Sequence, residues 1–340
     1  MKRILLSNAK NFYKANLHCH TNCSDGKLTP AMLKEEYKSL GYSIVAYTDH
    51  DIFITHDELT DESFLALHGF EVEINENSVY PGKPELNSCH ICMIAIEPDN
   101  LIQPLWNSKY AFAGKASTYI PEVKRDCEDY EREYSCEGIS KMMETYRNRG
   151  FFVTYNHPTW SGERYPQYTG YHGMHAMEMM NGSSSTILRE EYNPRVYDDI
   201  LSVGQRIYGI GADYNHNHSK KGSAEWDSGI AFTVINAEKL EYKTITQALL
   251  DGNFYASEAP KIYELTYDDG SVRIKTSPAT RIICTCDIRC TYGKDADPGE
   301  IITECEFKLH ENVKWFRITV VDINGKHACT NAYFTDSLNN

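Results

Sequence analysis

The sequence predicts an α/β fold with strand–helix alternation over most of its length and a small β-rich tail. Three observations carry this prediction. Short apolar strand candidates recur, ending in NLHCH, SIVAYTDH, LHGFEVEI, HICMIAIE, FFVTYNHP, HAMEMMN and IYGIGADY. Segments with helical spacing of apolar residues lie between them, and beyond Pro260 the chain turns to alternating runs broken by turn signals. Strand–helix alternation points to a parallel sheet with crossover helices. About seven such units favour a barrel over an open sheet, although alternation alone does not decide between them.

Taken in order, NLHCH follows an apolar lead-in, and TPAMLKEEYKSLG reads as the first crossover helix, closed by Gly41. GISKMMETYRNRG is a second, closed by Gly150; both glycines suit a left-handed cap. Residues from about Pro104 to Glu137 form a polar insertion without clear periodicity. TITQALLDGNFYAS reads as a last helix, so residues 1–258 form the α/β region and 259–340 the β-rich one. In the tail, KIYELTYDD, SVRIKTSP, RIICTCDIRC, CEFKLHE and WFRITVVDINGKHA alternate, with turns at Asp269–Gly270 and Asn324–Gly325.

The chain has 340 residues, 41% hydrophobic and 24% charged, ordinary for a globular protein. No stretch approaches the roughly 20 apolar residues of a membrane span. MKRILLSNAKNFYK is too weakly apolar for a signal peptide, so a cytoplasmic location is expected. A net charge of -14 argues against a nucleic-acid surface, short nucleotides excepted, while bound cations would still admit a phosphate. Eleven cysteines, an odd number, read as reduced thiols. Cys284, Cys286 and Cys290 fit no common zinc spacing. The oligomeric state is not legible.

The chemistry concentrates at strand ends. His18 and His20 end the first strand, and residues i and i+2 share a face. Asp49, His50 and Asp51 end the second; Glu71 and Glu73 sit in the third, His90 in the fourth, His157 ends the fifth, and Asp213 the seventh. In a parallel barrel the C-terminal strand ends converge on one rim. Singly, each has a plainer reading: His90 as a core histidine, His157 as a strand terminator, Asp25 in SDG as a turn former. Together they form a metal-site inventory.

The run NLHCHTNCSDGKLTP…YTDHD resembles the opening of the PHP superfamily, the polymerase and histidinol phosphatase domain, with its HxHTxxSDG and TDHD motifs. GFEV is similar to its GxE, NHP to its AHP, and MEMMNG to its IEVxN; the likeness covers about residues 14–258. It implies a distorted, TIM-like (β/α)7 barrel holding two or three divalent metals, usually for phosphoester hydrolysis. By matching motif, one metal would take His18, His20, Glu71 and Asp213. A second would share Glu71 and add His90 and His157. A third would take Asp25, His50 and a histidine of the last motif. The family usually ends in DxH, whereas GADYNHNH places Asn215 there, leaving His216, preferred, or His218. The tail is similar to the small sandwich that follows the barrel in some PHP hydrolases.

The expected reaction is attack by a metal-bridging hydroxide on a small phosphomonoester or phosphodiester, with manganese, iron or zinc all compatible with the ligands. Asp49, Asp51 and Glu178 are expected to orient imidazoles. His172, His175, His218 and Tyr214 are candidate proton donors, and Arg164, Arg189 and Arg195 candidate phosphate clamps. The alternatives are a carboxyl- or carbamate-ester hydrolase on the same centre, or a silent metal-binding module.

Overall fold

A computed structural model describes residues 2–127, 129–187, 190–290 and 292–339. In chain order, the N-terminal part runs β1 Arg3–Leu6, β2 Asn11–Asn16, α1 Pro30–Ser39, β3 Ile44–Tyr47, β4 Leu65–Asn75, β5 Ser88–Ala95, α2 Ala116–Tyr119 and α3 Cys136–Asn148. It continues with β6 Phe151–Asn156, β7 Ala176–Asn181, α4 Gly182–Thr186, α5 Pro194–Ser202, β8 Tyr208–Ala212, β9 Phe232–Ala237, α6 Tyr242–Leu250 and β10 Phe254–Ser257. The C-terminal strands are β11 Ile262–Asp268, β12 Ser271–Ala279, β13 Arg281–Cys286, β14 Tyr292–Asp295, β15 Ile302–Lys308, β16 Trp315–Val321, β17 His327–Thr330 and β18 Tyr333–Phe334, followed by α7 Thr335–Leu338.

The helices begin and end where their sequences dictate. Pro30 fills the first turn of α1, and the Thr29 side chain accepts from the Met32 N–H. Ser135 caps α3 by accepting from the Gly138 N–H at 2.9 Å. Gly41 and Gly150 both lie in the left-handed region, at φ 79° and 83°. Helix α3 buries Ile139, Met142, Met143 and Tyr146, one face at helical spacing, against the sheet. Strands β3, β5, β6 and β7 are buried on both faces, which is why apolar residues dominate them without alternating, interrupted mainly by polar residues such as His90 and Glu178.

The architecture is mixed α/β around a 14-stranded sheet ordered β14-β13-β16-β17-β10-β9-β2-β3-β4-β5-β6-β7-β8, with β18 beside β16. It is not the expected closed barrel of parallel strands. Strands β2–β3–β4 and β6–β7–β8 are parallel, but β5 runs antiparallel to both neighbours, and β9 antiparallel to β2. Among the described residues only an isolated bridge between Cys19 and Asn215 joins the β2 and β8 ends. Residues 76–87 carry no crossover helix, and β4 and β5 pair antiparallel on either side of this link as a long hairpin.

Three elements differ from the sequence expectation. Residues FYAS leave the last helix at Gly252, φ 70°, and become β10 between β9 and β17. Strand β9, FTVINA, was not anticipated. Nor was β1: RILL pairs antiparallel with β11 in a second sheet ordered β1-β11-β12-β15. Hydrogen-bonded strands therefore cross residue 258 twice, through β1–β11 and through β10–β17. Both expected tail turns are present, with Asp269 and Gly270 at positive φ between β11 and β12 and Gly325 between β16 and β17. No helix among the described residues is long and apolar enough to cross a membrane.

Candidate metal centre

The chain just beyond β2 is pinned to the chain just beyond β8. The His20 N–H donates to the Asn215 carbonyl at 3.1 Å and the Tyr214 N–H to the His18 carbonyl at 2.9 Å. This brings the two ends of the α/β region to one point, with the His18 and His20 rings 5.2 Å apart. His50, just beyond β3, bridges to Glu71 in the middle of β4. His90 enters from the start of antiparallel β5, opposite Glu73, rather than from the C-terminal end of a parallel strand. His157 follows β6 directly.

Glu71 is the hub. It is fully buried, and its carboxylate lies 3.1 Å from His18 Nε2, 3.3 Å from His20 Nε2, 3.1 Å from His50 Nδ1, 3.1 Å from His90 Nδ1 and 3.4 Å from His157 Nε2. Asp25 forms a second hub, with nitrogens of His20, His50 and His216 each at 3.7 Å. Three groups of donors close enough to share an ion result: His20, Asp25, His50 and His216; His18, Glu71 and His157; His50, Glu71 and His90. The grouping differs in detail from the one the resemblance implied, since His20 joins Asp25 and His157 joins His18.

Outer partners aim these rings. Glu178 accepts from His18 Nδ1 at 2.6 Å and from the His157 N–H at 3.0 Å. Ser161 Oγ meets His157 Nδ1, and the Tyr214 carbonyl meets His216 Nδ1, both at 3.1 Å. Each contact at Nδ1 leaves Nε2 of that ring facing inward. Exchanging Glu178 for glutamine is expected to weaken divalent-metal affinity about 10- to 100-fold while leaving the fold intact, read by metal titration.

Electrostatics favour cations here. Burial opposes ionisation of Glu71, yet His18, His50 and His90 hold its carboxyl well below the usual range. Burial, with His50 and His216 alongside, keeps His20 well below its ordinary pKa, and burial pushes His157 down to about 4. His50 goes the other way, up to about 9, because Asp25 and Glu71 outweigh its burial. Such a proton is one that cation binding displaces. Buried and without hydrogen-bond partners are His20 Nδ1, Glu71 Oε2, His90 Nε2 and His157 Nε2. Orphaned donors and acceptors converging in this way fit a site for divalent cations.

Asp213 is a correction. Its carboxylate is buried beneath the cluster and saturated by five donors: the Tyr37 and Tyr42 hydroxyls and the N–H groups of Gly229, Ile230 and Ala231. It belongs to none of the donor groups, because the turn before β9 folds back onto it. Asp49 and Asp51 do not orient imidazoles either. Asp49 binds the Thr21 and Ser24 N–H and hydroxyl groups, shaping the turn that carries Asp25. Asp51 pairs with Arg132 at 2.5 Å. Of the two histidines left open, His216 joins the cluster; His218 lies outside it, 6.0 Å from the His216 ring.

A cavity of about 530 Å³ opens above the cluster, lined among others by His50, His90, His216, Phe112, Trp160 and Tyr214. Of the candidate proton donors, Tyr214 and His218 line it, while His175 stacks on Phe152 away from it and His172 is exposed. Arg164 is exposed, Arg195 pairs with Asp199 at the surface, and Arg189 lies outside the described residues. Cys284, Cys286 and Cys290 form no donor group among the described residues.

Sequence reasoning missed several contributors. Trp160 packs edge-on against His90, His157 and Tyr214. Glu191 accepts from the Thr159 and Trp160 N–H groups and so fixes that wall. The insertion supplies another wall: Lys115 N–H donates to the Ser24 carbonyl, and a Cβ on Gly114 would fall 2.2 Å from that oxygen. Only the run WS after NHP hinted at any of this.

Glu163, six residues after His157, is buried among the Tyr134, Tyr155 and Tyr171 hydroxyls. Burial raises its carboxyl from 4.5 to about 7, against those hydroxyls. The folded protein thus holds a proton that the unfolded chain releases. That stability is complete below about pH 4.5 and is lost as pH climbs through about 7, on the order of 3 kcal/mol. Denaturation midpoints of the wild type are expected to fall across that window, and those of Glu163→Gln to fall less.

No family model matches the chain, and no curated protein matches it. Solved structures do. A two-domain protein from Bacteroides vulgatus containing a predicted PHP-like metal-dependent phosphoesterase is 16% identical, with a TM-score of 0.43, over 98% of this chain and 89% of that one. A Bifidobacterium adolescentis protein described as a metal-dependent phosphoesterase is 16% identical at a TM-score of 0.37, over 62% of this chain and 90% of that one. An amidohydrolase from Chromobacterium violaceum, with bound sulfate and no metal, is 14% identical at 0.35, over 59% and 87%.

Proposed function

We propose that this protein is a metal-dependent hydrolase of the PHP superfamily, acting on small phosphorylated molecules at a centre of two or three divalent cations. One observation carries the reading: a single buried carboxylate, Glu71, is met by nitrogens of five imidazoles. So many donors facing one point, several with no other partner, have no packing rationale and suit cations between them.

His18, His20, Asp25, His50, Glu71, His90, His157 and His216 are the proposed ligands. Cations held there supply a water of lowered pKa and screen the charge on a phosphate. The protein's own groups do the rest. Glu178, Ser161 and the Tyr214 carbonyl keep three rings in one tautomer and one orientation. Trp160 and Phe112 wall the cavity and limit water around the substrate. Tyr214 and His218 both line the cavity, and either would give the proton to the leaving oxygen.

The test is a release screen over phosphomonoesters, phosphodiesters and carboxyl esters, on protein stripped with chelator and refilled with manganese, iron or zinc. Metal-restored phosphate release is expected. Metal-restored cleavage of carboxyl esters alone would replace the proposed substrate class, and no metal-dependent turnover on any ester would remove the enzymatic reading.

A further inference from the structure

A second group of side chains of metal-ligand type lies beside the turn that carries Asp25, apart from the donors around Glu71. Cys23, Asp49 and His56 are all buried, and one donor atom from each lies within 4.8 Å of the other two. They come from three stretches: the turn after His20, the end of β3, and the loop before β4. None of the mechanism above uses this trio as a site.

His56 is the informative member. It is only 7% exposed, and its Nε2 has no hydrogen-bond partner. Its other nitrogen, Nδ1, is 3.6 Å from a Glu58 oxygen, and its ring meets Tyr47 edge-on at 5.0 Å. Leaving a buried ring nitrogen unpaired is unfavourable, so packing alone does not account for it. Asp49 also has spare capacity. Its Oδ1 accepts from the Thr21 N–H, the Ser24 N–H and the Ser24 hydroxyl, whereas among the described residues Oδ2 accepts only from the Thr21 hydroxyl at 2.7 Å. The Tyr119 hydroxyl lies beside the Cys23 thiol.

We propose that Cys23, Asp49 and His56 bind one further divalent cation of the zinc class, in a structural site that stiffens the turn presenting Asp25. A thiolate, an imidazole and a carboxylate together suit zinc, which takes sulfur at about 2.3 Å and nitrogen at about 2.0 Å, better than manganese, which prefers oxygen. Binding releases the Cys23 proton to solvent. Because Asp49 already holds Thr21 and Ser24, an ion on its Oδ2 side fixes the turn from below.

Cobalt(II) separates this site from the Glu71 cluster, since the proposed ligands there are nitrogen and oxygen only. Titrating metal-free full-length protein with cobalt should give a near-ultraviolet sulfur-to-cobalt charge-transfer band. Cys23→Ser should abolish the band and lower bound cobalt by about one equivalent per chain. His56→Gln should weaken the titration producing the band about tenfold or more, while Glu71→Gln should leave it in place. Circular dichroism checks folding, and His56→Gln decides alone if Cys23→Ser does not fold. Absence of the band in the wild type, or its survival unchanged in both variants, would overturn the proposal without touching the reading of the Glu71 centre.

Discussion

Glu71→Gln is expected to strip most of the divalent metal from the Glu71 cluster and to lower ester hydrolysis by about a thousandfold or more. Glutamine has nearly the shape of glutamate, so no cavity opens and the fold should persist. What changes is charge and donor type. A carboxamide offers one oxygen where the carboxylate offered two, and it turns an N–H toward rings whose inward nitrogens are acceptors. His18, His20, His50, His90 and His157 then face a neutral group instead of the anion that balances cations in a buried pocket. Elemental analysis and turnover are read on the same preparation. Unchanged metal content in the variant would sink the assignment of Glu71 as the hub.

Asp51→Asn is expected to destabilise the protein by about 3–5 kcal/mol, the usual cost of leaving one charge of a buried pair alone. Arg132 and Asp51 side chains are 4% and 2% exposed. The guanidinium also donates to the Glu73 carbonyl at 2.8 Å and lies 3.9 Å over the Tyr110 ring, so it has no route to solvent. Asparagine is the informative replacement because residue 51 sits at φ 61°, a conformation asparagine tolerates. Backbone strain is thereby held constant and the charge isolated. Arg132 anchors the insertion that walls the cavity, so faster hydrogen exchange across residues 104–127 should accompany the lower denaturation midpoint. A midpoint unchanged from wild type would show that the pair contributes nothing net.

The site was legible where ligands are close in sequence or end apolar runs. His18 and His20 share a face because extended chain repeats every two residues, and that periodicity survives beyond the strand itself. His50, Glu71, His90, His157 and His216 were each visible as polar residues where burial is otherwise expected. Asp213 misled for the same reason: a buried carboxylate at a strand end reads as a ligand until the donors facing it are known. Those donors, the Gly229–Ala231 N–H groups and the hydroxyls of Tyr37 and Tyr42, come from segments far from Asp213 in the chain, and no local pattern pairs them with it. Asp49 and Asp51 repeat the lesson, since their partners lie in the Thr21 turn and in the distant insertion.

The sequence by itself determined the α/β alternation, the two glycine-closed helices, the β-rich tail and nearly the whole list of metal-binding candidates, because these follow from periodicity and residue chemistry within short windows. Only the tertiary structure decided that β5 runs antiparallel, that the sheet does not close as a ring of parallel strands, that β1 joins the second sheet, and which carboxylates face cations rather than N–H groups. Strand direction and hydrogen-bond partnership are set by contacts between segments far apart in the chain, and no local pattern encodes them.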